Sequence, residues 1–152
     1  MLPKNVITQI LQSLYNFIPT LAGGRKDNDI LVWDMRQPGT LYAVLNRTVE
    51  TNQRIYFDID SNGKYVISGN TNGSVTVWDL EKTPNEDDKI ISPNSHLTDF
   101  HQDAVNGCSV HPWLPMIGTC SGQRHVHCPM LTDDNDTKVE IKMENSLKIW
   151  SF

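Results

Sequence analysis

RIYFDIDSNGKYVISGNTNGSVTVWDL, residues 54–80, decides the fold of this chain. It contains two Asn-Gly pairs, at 62–63 and 72–73, and Asn-Gly readily takes the positive φ angles of a type I′ hairpin turn. β-Branched and aromatic residues alternate with polar ones on both sides of each pair, as they do in half-buried strands. The stretch therefore predicts three antiparallel strands in a tight meander that closes on Trp78-Asp79.

The Trp-Asp pair recurs along the chain. Trp33-Asp34 precedes Trp78-Asp79 by 45 positions, which is the upper end of the WD40 repeat period. A third unit starts at His101 and ends with a strand around Trp150, after an insertion of roughly thirty residues beyond one repeat. The period predicts an all-β fold, a WD40 β-propeller fragment of about three blades of four-stranded antiparallel sheet. We divide it into a partial first blade at 1–45, a second at 46–100 and a third at 101–152 with an acidic insertion at 131–144.

The expected strands of the outer two blades follow the apolar runs. In the first blade they are Val6–Leu11, Phe17–Leu21, Ile30–Met35 and Leu41–Leu45, and in the third they are 105–110, 116–120 and 146–152. The outer strand of the second blade is either 90–91 or 96–100, and both remain open. Because a propeller closes with about four to eight blades, we expect the chain to be part of a larger ring. The alternative, a compact sheet of about ten strands, leaves the Trp-Asp period unexplained.

The bulk composition limits the functional class. Hydrophobic residues make up 38% and charged residues 20%, no run approaches eighteen apolar residues, and no signal-peptide pattern is present, so we expect no membrane segment. Three cysteines without a spacing pattern indicate reduced thiols in the cytosol or nucleus. The net charge is −5, but the acids concentrate in two loops, at 81–89 and 131–144, and the remaining framework is neutral. Charge therefore neither excludes nor indicates a nucleic-acid partner.

No pattern in the chain supports catalysis, so we expect no enzyme and no cofactor. A Ser-His-Asp grouping, a glycine-rich phosphate loop and a carboxylate pair in a catalytic context are all missing. His125, His127 and Cys128 suggest zinc ligands, but no Cys-x-x-Cys spacing completes them, and no metal is predicted. The acidic run at 133–136 lacks the glycine and glutamate of a calcium loop.

A structural relay is expected inside the blades, because a buried indole N–H and hydroxyl need hydrogen-bond partners. In the third blade it joins His101, Thr119 and Trp150. In the second blade Ser68 and Trp78 remain, with Glu50 or Thr51 in place of the histidine. In the first blade Trp33 remains, but Ala22 stands at the hydroxyl position and interrupts the relay.

Four segments carry a resemblance to a known family. GRKD at 24–27, WDMRQ at 33–37, TNQRIYFD at 51–58 and TCSGQR at 119–124 resemble the C-terminal blades of the telomerase Cajal body protein family, over about residues 7–150. The resemblance implies a non-enzymatic, RNA-binding scaffold of the nucleus and its Cajal bodies. Such a scaffold recognises the CAB box of small Cajal body RNAs and of telomerase RNA, directs these RNAs to Cajal bodies, and supports telomere maintenance.

The same resemblance implies ribonucleoprotein proteins as further partners, and neither a membrane nor a small-molecule substrate. Two alternatives stay open: a general WD40 scaffold for protein–protein interaction, and a truncated fragment without a function of its own. A comparison of CAB-box RNA with a mutated box distinguishes the first of these from the RNA hypothesis.

Bases on one face of the disc are the candidates for RNA contact. Single-stranded RNA is held by Arg and Lys on phosphates and by stacking of bases on aromatic or guanidinium planes. Tyr56 could stack a base, but its place in a strand favours a packed side chain. We expect Arg36 and Lys64 on the opposite face. The residues predicted to bind RNA on the shared face are Arg25, Lys26, Arg47, Gln53, Arg54, Arg124 and His125.

Overall fold

A computed structural model describes residues 19–37, 39–123 and 143–151. Within these ranges the chain forms ten β-strands and no helix. The strands are β1 Pro19–Gly23, β2 Asp29–Asp34, β3 Leu41–Asn46, β4 Phe57–Ile59, β5 Tyr65–Gly69, β6 Val75–Asp79, β7 Ser95–Leu97, β8 Val105–Val110, β9 Met116–Ser121 and β10 Leu147–Ser151. No helix in the described ranges is long and apolar enough to cross a bilayer.

The strands make three antiparallel meanders. Sheet 1 has the order β1-β2-β3, sheet 2 the order β4-β5-β6-β7, and sheet 3 the order β8-β9-β10. Within each sheet, successive strands pair with each other. The predicted fold class, an all-β WD40 propeller fragment of about three blades, is confirmed by these sheets. The blade boundaries stay a prediction.

The strand registers place the three tryptophans at equivalent positions of the three sheets. Trp33 lies opposite Thr20, Trp78 opposite Val66, and Trp150 opposite Ile117. Two positions after each of these partners come Ala22, Ser68 and Thr119. Each tryptophan therefore has the same place in its sheet. Two residues after its partner, sheets 2 and 3 have a side chain with a hydroxyl group, and sheet 1 has an alanine.

Two apolar clusters join the sheets. The first contains Ile30, Val32 and Leu45 of sheet 1 together with Val66 and Trp78 of sheet 2. The second packs side chains of sheet 2 against sheet 3, and its members are Ile67, Val75, Val105, Cys108 and Ile117. Successive side chains of a strand point to opposite sides of the sheet, so Val66 and Ile67 enter different clusters. Sheet 2 therefore contributes buried side chains to an apolar cluster on each of its two sides.

The turns of sheet 2 differ from the prediction. Gly63 and Gly73 have φ of 71° and 81°, but Asn62 and Asn72 are not among the described residues with positive φ. The type I′ prediction, which needs positive φ at both positions, is therefore wrong. The Asp60 carboxylate accepts hydrogen bonds from the backbone N–H groups of Lys64 and Tyr65, both 2.7 Å long. This favours a longer loop in which glycine alone is left-handed.

The outer strand of sheet 2 is β7, which settles the alternative in favour of the segment around His96. The other candidate, Ile90–Ile91, lies instead along β3 of sheet 1. The Val44 N–H donates to the Lys89 carbonyl at 2.8 Å, and the Ile91 N–H donates to the Val44 carbonyl at 3.0 Å. Ile91 is buried in the first apolar cluster. The β6–β7 connection thus covers the outer edge of sheet 1.

Two predicted elements lie wholly or mostly outside the described residues. They are the strand Val6–Leu11 and the acidic insertion at 131–144, of which the structure describes Met143 and Glu144. The predicted strand Phe17–Leu21 overlaps β1. The remaining predicted strands correspond to β2, β3, β8, β9 and β10 within two residues at either end.

Candidate nucleic-acid interface

The connections at one end of the sheets are hydrogen-bonded to one another, and we call this end the upper rim. It comprises the β1–β2 turn at 24–28, the β3–β4 connection at 47–56, the β5–β6 turn at 70–74, and residues 101–104. The Thr71 N–H donates to the Thr48 carbonyl at 3.0 Å, and the Val105 N–H donates to the Asn70 carbonyl at 3.0 Å. The upper rim therefore places loops of all three sheets side by side.

Arg47 lies at the centre of the upper rim but does not face solvent. Its side chain is buried, and its guanidinium donates to the carbonyls of Gly24 at 3.0 Å, Asp27 at 3.2 Å and Ile55 at 3.0 Å. Burial lowers the pKa of this arginine from its usual value. Because its donors are used inside the protein, Arg47 fits a structural role better than the phosphate contact that we expected. It holds the β1–β2 turn against the β3–β4 connection.

Arg54 and Tyr56 follow Arg47 on the same connection and are exposed. The Arg54 guanidinium carbon lies 5.9 Å from the centroid of the Tyr56 ring, and Nη1 lies 3.5 Å from the tyrosine hydroxyl. Tyr56 is 54% exposed, so the expectation of a packed tyrosine is wrong. The reason is that β4 begins only at Phe57, and Tyr56 precedes the paired part of the strand. The two side chains together offer a planar cation and an aromatic ring.

Arg25 and Lys26 occupy the tip of the β1–β2 turn, and both are exposed. Lys26 has a left-handed backbone with φ of 52°. Asp27 stabilises the turn locally, because its Oδ1 accepts a hydrogen bond from the Asp29 N–H at 3.1 Å. Among the residues that the structure describes, Arg25, Lys26 and Arg54 form no ion pair.

Gln53 is only partly accessible. Its Oε1 atom is buried and has no hydrogen-bond partner in the described part of the chain, whereas its backbone N–H donates to Thr51 Oγ1 at 3.2 Å. Arg124 and His125, the other two predicted RNA-binding residues, lie outside the described residues, as do His127 and Cys128.

The bases expected on the opposite face are neutralised at the lower end of the sheets. Arg36 donates to both carboxylate oxygens of Asp34, with its Nη2 atom 2.6 Å from Oδ2. The Lys64 ammonium lies 2.5 Å from the Glu81 carboxylate. These pairings raise the pKa of Arg36 and of Lys64. Arg36 and Lys64 therefore contribute less unpaired positive charge than the upper rim does.

The predicted hydrogen bonds of the relay are present in sheet 3. Thr119 Oγ1 lies 2.8 Å from His101 Nε2 and accepts the Trp150 indole N–H at 2.8 Å. His101 Nδ1 lies 3.2 Å from a Glu144 carboxylate oxygen. Because a carboxylate can only accept, a neutral His101 carries its proton on Nδ1, and the Thr119 hydroxyl donates to Nε2. The chain of donors then runs from indole to hydroxyl to imidazole to carboxylate.

Glu144 is the residue of this network that sequence reasoning missed, because it was assigned to the acidic insertion. Its carboxylate accepts the Gln102 backbone N–H at 2.6 Å and pairs with the Lys148 ammonium at 2.6 Å. These two groups, with the Ser146 hydroxyl and His101, lower the pKa of Glu144 far below its usual value. Forty-three positions separate Glu144 from His101, so no local pattern could reveal the contact.

Sheet 2 has a different arrangement from sheet 3. The Ser68 hydroxyl lies 3.4 Å from Arg47 Nη1, and the buried Trp78 indole nitrogen has no hydrogen-bond partner among the described residues. Arg47, rather than Glu50 or Thr51, is the long-range partner of the Ser68 hydroxyl.

No group of three or more His, Cys, Asp or Glu residues in the described ranges is placed to hold a metal ion.

Comparison with known proteins gives curated relatives that share one name. Telomerase Cajal body protein 1 of Mus musculus is 41% identical over 138 residues, which cover 85% of this chain and 26% of the relative. The Homo sapiens protein is 40% identical over 137 residues, or 85% of this chain and 24% of the relative. The Mesocricetus auratus protein is 48% identical over 103 residues, or 68% and 19%.

No family model matches the sequence. The chain spans about a quarter of the length of the curated relatives it matches, and the match covers most of its residues. The sequence identity over most of the chain is consistent with the recurring Trp-Asp strands and with the three sheets. This chain therefore belongs to the telomerase Cajal body protein family.

Proposed function

We propose that the chain is a non-enzymatic, RNA-binding scaffold that recognises the CAB box of small Cajal body RNAs and telomerase RNA and directs them to Cajal bodies in the nucleus. The proposal depends chiefly on one observation, the exposed Arg54–Tyr56 pair on the same rim as the Arg25–Lys26 turn. An aromatic ring and a guanidinium plane can each stack an unpaired base. Arg25 and Lys26 can contact the adjacent phosphates.

The distribution of charge supports the upper rim as the RNA side. Arg36 and Lys64 of the lower end are held by carboxylates, whereas Arg25, Lys26 and Arg54 form no ion pair within the described ranges. An unpaired cation gains more from a phosphate than one that must first leave a carboxylate. The buried Arg47 fixes the spacing between the two cationic segments, because it bonds to both.

A salt titration of RNA binding tests the proposal. The 152-residue chain is mixed with a labelled stem-loop RNA that contains a CAB box, and the dissociation constant is measured at several salt concentrations. The variant that combines Arg25→Ala, Lys26→Ala and Arg54→Ala should bind more weakly, and its slope against salt should flatten by about 0.7 for each phosphate that is no longer neutralised. Arg36→Ala with Lys64→Ala is the matched control at the lower end, with circular dichroism as the check on folding.

Three outcomes argue against the proposal. Unchanged binding of the upper-rim variant removes the assigned site. Equal weakening in both variants indicates a nonspecific effect of charge. Equal binding of an RNA with a mutated box removes the specificity and favours the general protein-interaction scaffold.

A further inference from the structure

We propose that a polar pocket on the upper rim binds one unpaired guanine of the RNA, and that the Glu50 carboxylate reads the Watson–Crick edge of this base. The inference rests on the proposed function, because it assigns a particular base to the rim that we expect to bind RNA. The pocket has a volume of about 310 Å³, and we call it the rim pocket. It is lined by Thr48, Glu50, Thr51, Thr71, Asn72 and Gln123.

Two of the segments that form the rim pocket are hydrogen-bonded to each other. The Thr48 carbonyl accepts the Thr71 N–H at 3.0 Å and the Thr71 hydroxyl at 3.2 Å. The Thr48 N–H donates to Asn70 Oδ1 at 2.8 Å, and Asn70 is fully buried. The β3–β4 connection is therefore fixed against the β5–β6 turn, and the pocket is formed without a ligand.

Glu50 is an exposed acid on a rim that we expect to bind a polyanion. The residue before it, Val49, is buried, and the Val49 N–H donates to Asn28 Oδ1 at 2.8 Å, so the backbone beside Glu50 is anchored. Within the described ranges the Glu50 carboxylate forms no ion pair. A free carboxylate repels nearby phosphates. It therefore favours RNA binding only where it accepts N–H groups of a base.

Asn72 supplies a hydrogen-bond donor from the second segment of the rim pocket. Its Oδ1 atom accepts the Ser74 N–H at 3.1 Å and the Ser74 hydroxyl at 2.6 Å. Because a backbone N–H can only donate, the amide atom that faces Ser74 is the oxygen, and the amide nitrogen remains for another partner. The rim pocket thus offers the two acceptor oxygens of Glu50 together with the amide donor of Asn72.

Guanine is the base whose Watson–Crick edge matches this set of groups. It presents two adjacent donors, N1–H and the N2 amino group, beside the O6 acceptor. A carboxylate accepts both donors with its two oxygens, and such charge-assisted bidentate pairs are among the stronger hydrogen bonds. Adenine and cytosine present one donor group next to an acceptor, and uracil presents one donor between two acceptors. Each of these three bases would turn an acceptor toward the carboxylate.

The rim pocket and the exposed Arg54–Tyr56 pair belong to the same connection. Tyr56 follows Glu50 by six positions, and even a fully extended chain spans at most about 20 Å over that length. One RNA loop can therefore stack a base on Tyr56 and place a guanine at Glu50. Phosphate contacts, stacking and base reading then come from one side of the molecule.

Replacement of guanine by inosine tests the proposal, because inosine lacks the N2 amino group and keeps N1–H and O6. The labelled CAB-box stem-loop is prepared with each loop guanine replaced in turn, and its binding to the 152-residue chain is measured by fluorescence anisotropy. At one position the replacement should weaken binding about tenfold. Glu50→Gln should weaken binding of the unmodified RNA and bring the ratio between the two dissociation constants close to one.

The direction of the Glu50→Gln effect separates base reading from electrostatics. The substitution removes a negative charge, so a purely electrostatic role of Glu50 would give tighter RNA binding, whereas base reading gives weaker binding. Glu86→Gln is the matched control at an exposed acid of the β6–β7 connection, and it should leave the ratio between guanine and inosine RNA unchanged.

The outcomes distinguish this inference from the proposed function. If the wild-type chain binds the RNA but no inosine replacement weakens binding, the guanine pocket is overturned and the RNA scaffold stands. The same holds if Glu50→Gln binds as tightly as wild type or tighter. If the wild-type chain does not bind the RNA at all, the proposed function fails, and the guanine pocket fails with it.

Discussion

Tyr56 is an exposed aromatic residue, and its contribution to RNA binding can be measured separately from that of the charged residues near it. Stacking of a base on an aromatic side chain contributes about 1–3 kcal/mol. Tyr56→Ala should therefore weaken CAB-box RNA binding by roughly five- to more than a hundredfold, and Tyr56→Phe should keep most of the affinity. Fluorescence anisotropy with the labelled RNA measures both. If the alanine and phenylalanine variants are weakened equally, the hydroxyl rather than the ring is what contacts the RNA.

Glu144 makes the stability of sheet 3 depend on pH. The pKa of its carboxyl is lowered in the folded state, first by the Gln102 N–H and then by Lys148. A lowered folded-state pKa stabilises the fold above the unfolded value, near 4.5, and this stabilisation is lost as the pH falls through the folded-state pKa. Glu144→Gln should therefore lower the free energy of unfolding at neutral pH and have less effect in acid.

Urea unfolding at neutral and acidic pH measures this difference. Glu50→Gln is the control, because Glu50 is an exposed acid of the upper rim. A difference between wild type and Glu144→Gln that stays constant with pH would show that the carboxylate charge is not the source.

The two Asn-Gly turns allow a direct comparison of what a side chain at the glycine costs in stability. Gly63 and Gly73 both have positive φ, but a side chain at Gly63 meets nothing within 4 Å, whereas one at Gly73 would overlap the His101 carbonyl oxygen. Gly63→Ala should therefore cost only the left-handed strain, about 1 kcal/mol, and Gly73→Ala clearly more. Thermal or urea unfolding of the two variants gives the comparison. Equal costs would mean that the β5–β6 turn moves away from His101 freely.

Strand elements were predictable because their signal is local. The alternation in 54–80 and the turn residues around it identify β4, β5 and β6 without any knowledge of distant contacts. The turn type was not predictable from Asn-Gly alone, since the carboxylate of Asp60 decides it from outside the pair. The outer strand of sheet 2 was ambiguous for a similar reason: Ile90–Ile91 is apolar because it packs on sheet 1.

Long-range polar contacts limit how much of the candidate site can be predicted from the sequence. Arg25, Lys26 and Arg54 are exposed turn or loop residues, so their position in the sequence alone located them. Arg47 has the same charge and a similar position, and only the carbonyls of residues 8 to 23 positions away distinguish it as buried. Tyr56 was misjudged because the start of β4 depends on where pairing begins.

At the scale of the whole molecule, Ile91 is the residue that ties sheet 1 to sheet 2. It is almost fully buried, and its backbone bonds to Val44 of β3. Ile91→Ala should cost about 2–5 kcal/mol and should speed the amide exchange of β3 as well as of sheet 2. Ile90→Ala, at a half-buried neighbour, is the control. Hydrogen exchange read by mass spectrometry checks both, and unchanged protection of β3 would contradict the coupling.

Residues 89–91 cover the outer edge of β3, and this has a consequence during synthesis of the chain. Sheet 1 leaves the ribosome first, and its outer hydrogen-bonding edge stays bare until Ile91 has followed, several seconds later at ~5–20 residues per second. Throughout that interval the nascent chain offers an unprotected template to neighbouring polypeptides. Cells that slow translation between codons 46 and 91 should thus lose more of this protein to co-translational aggregation, or to chaperones, than cells that slow it after codon 91.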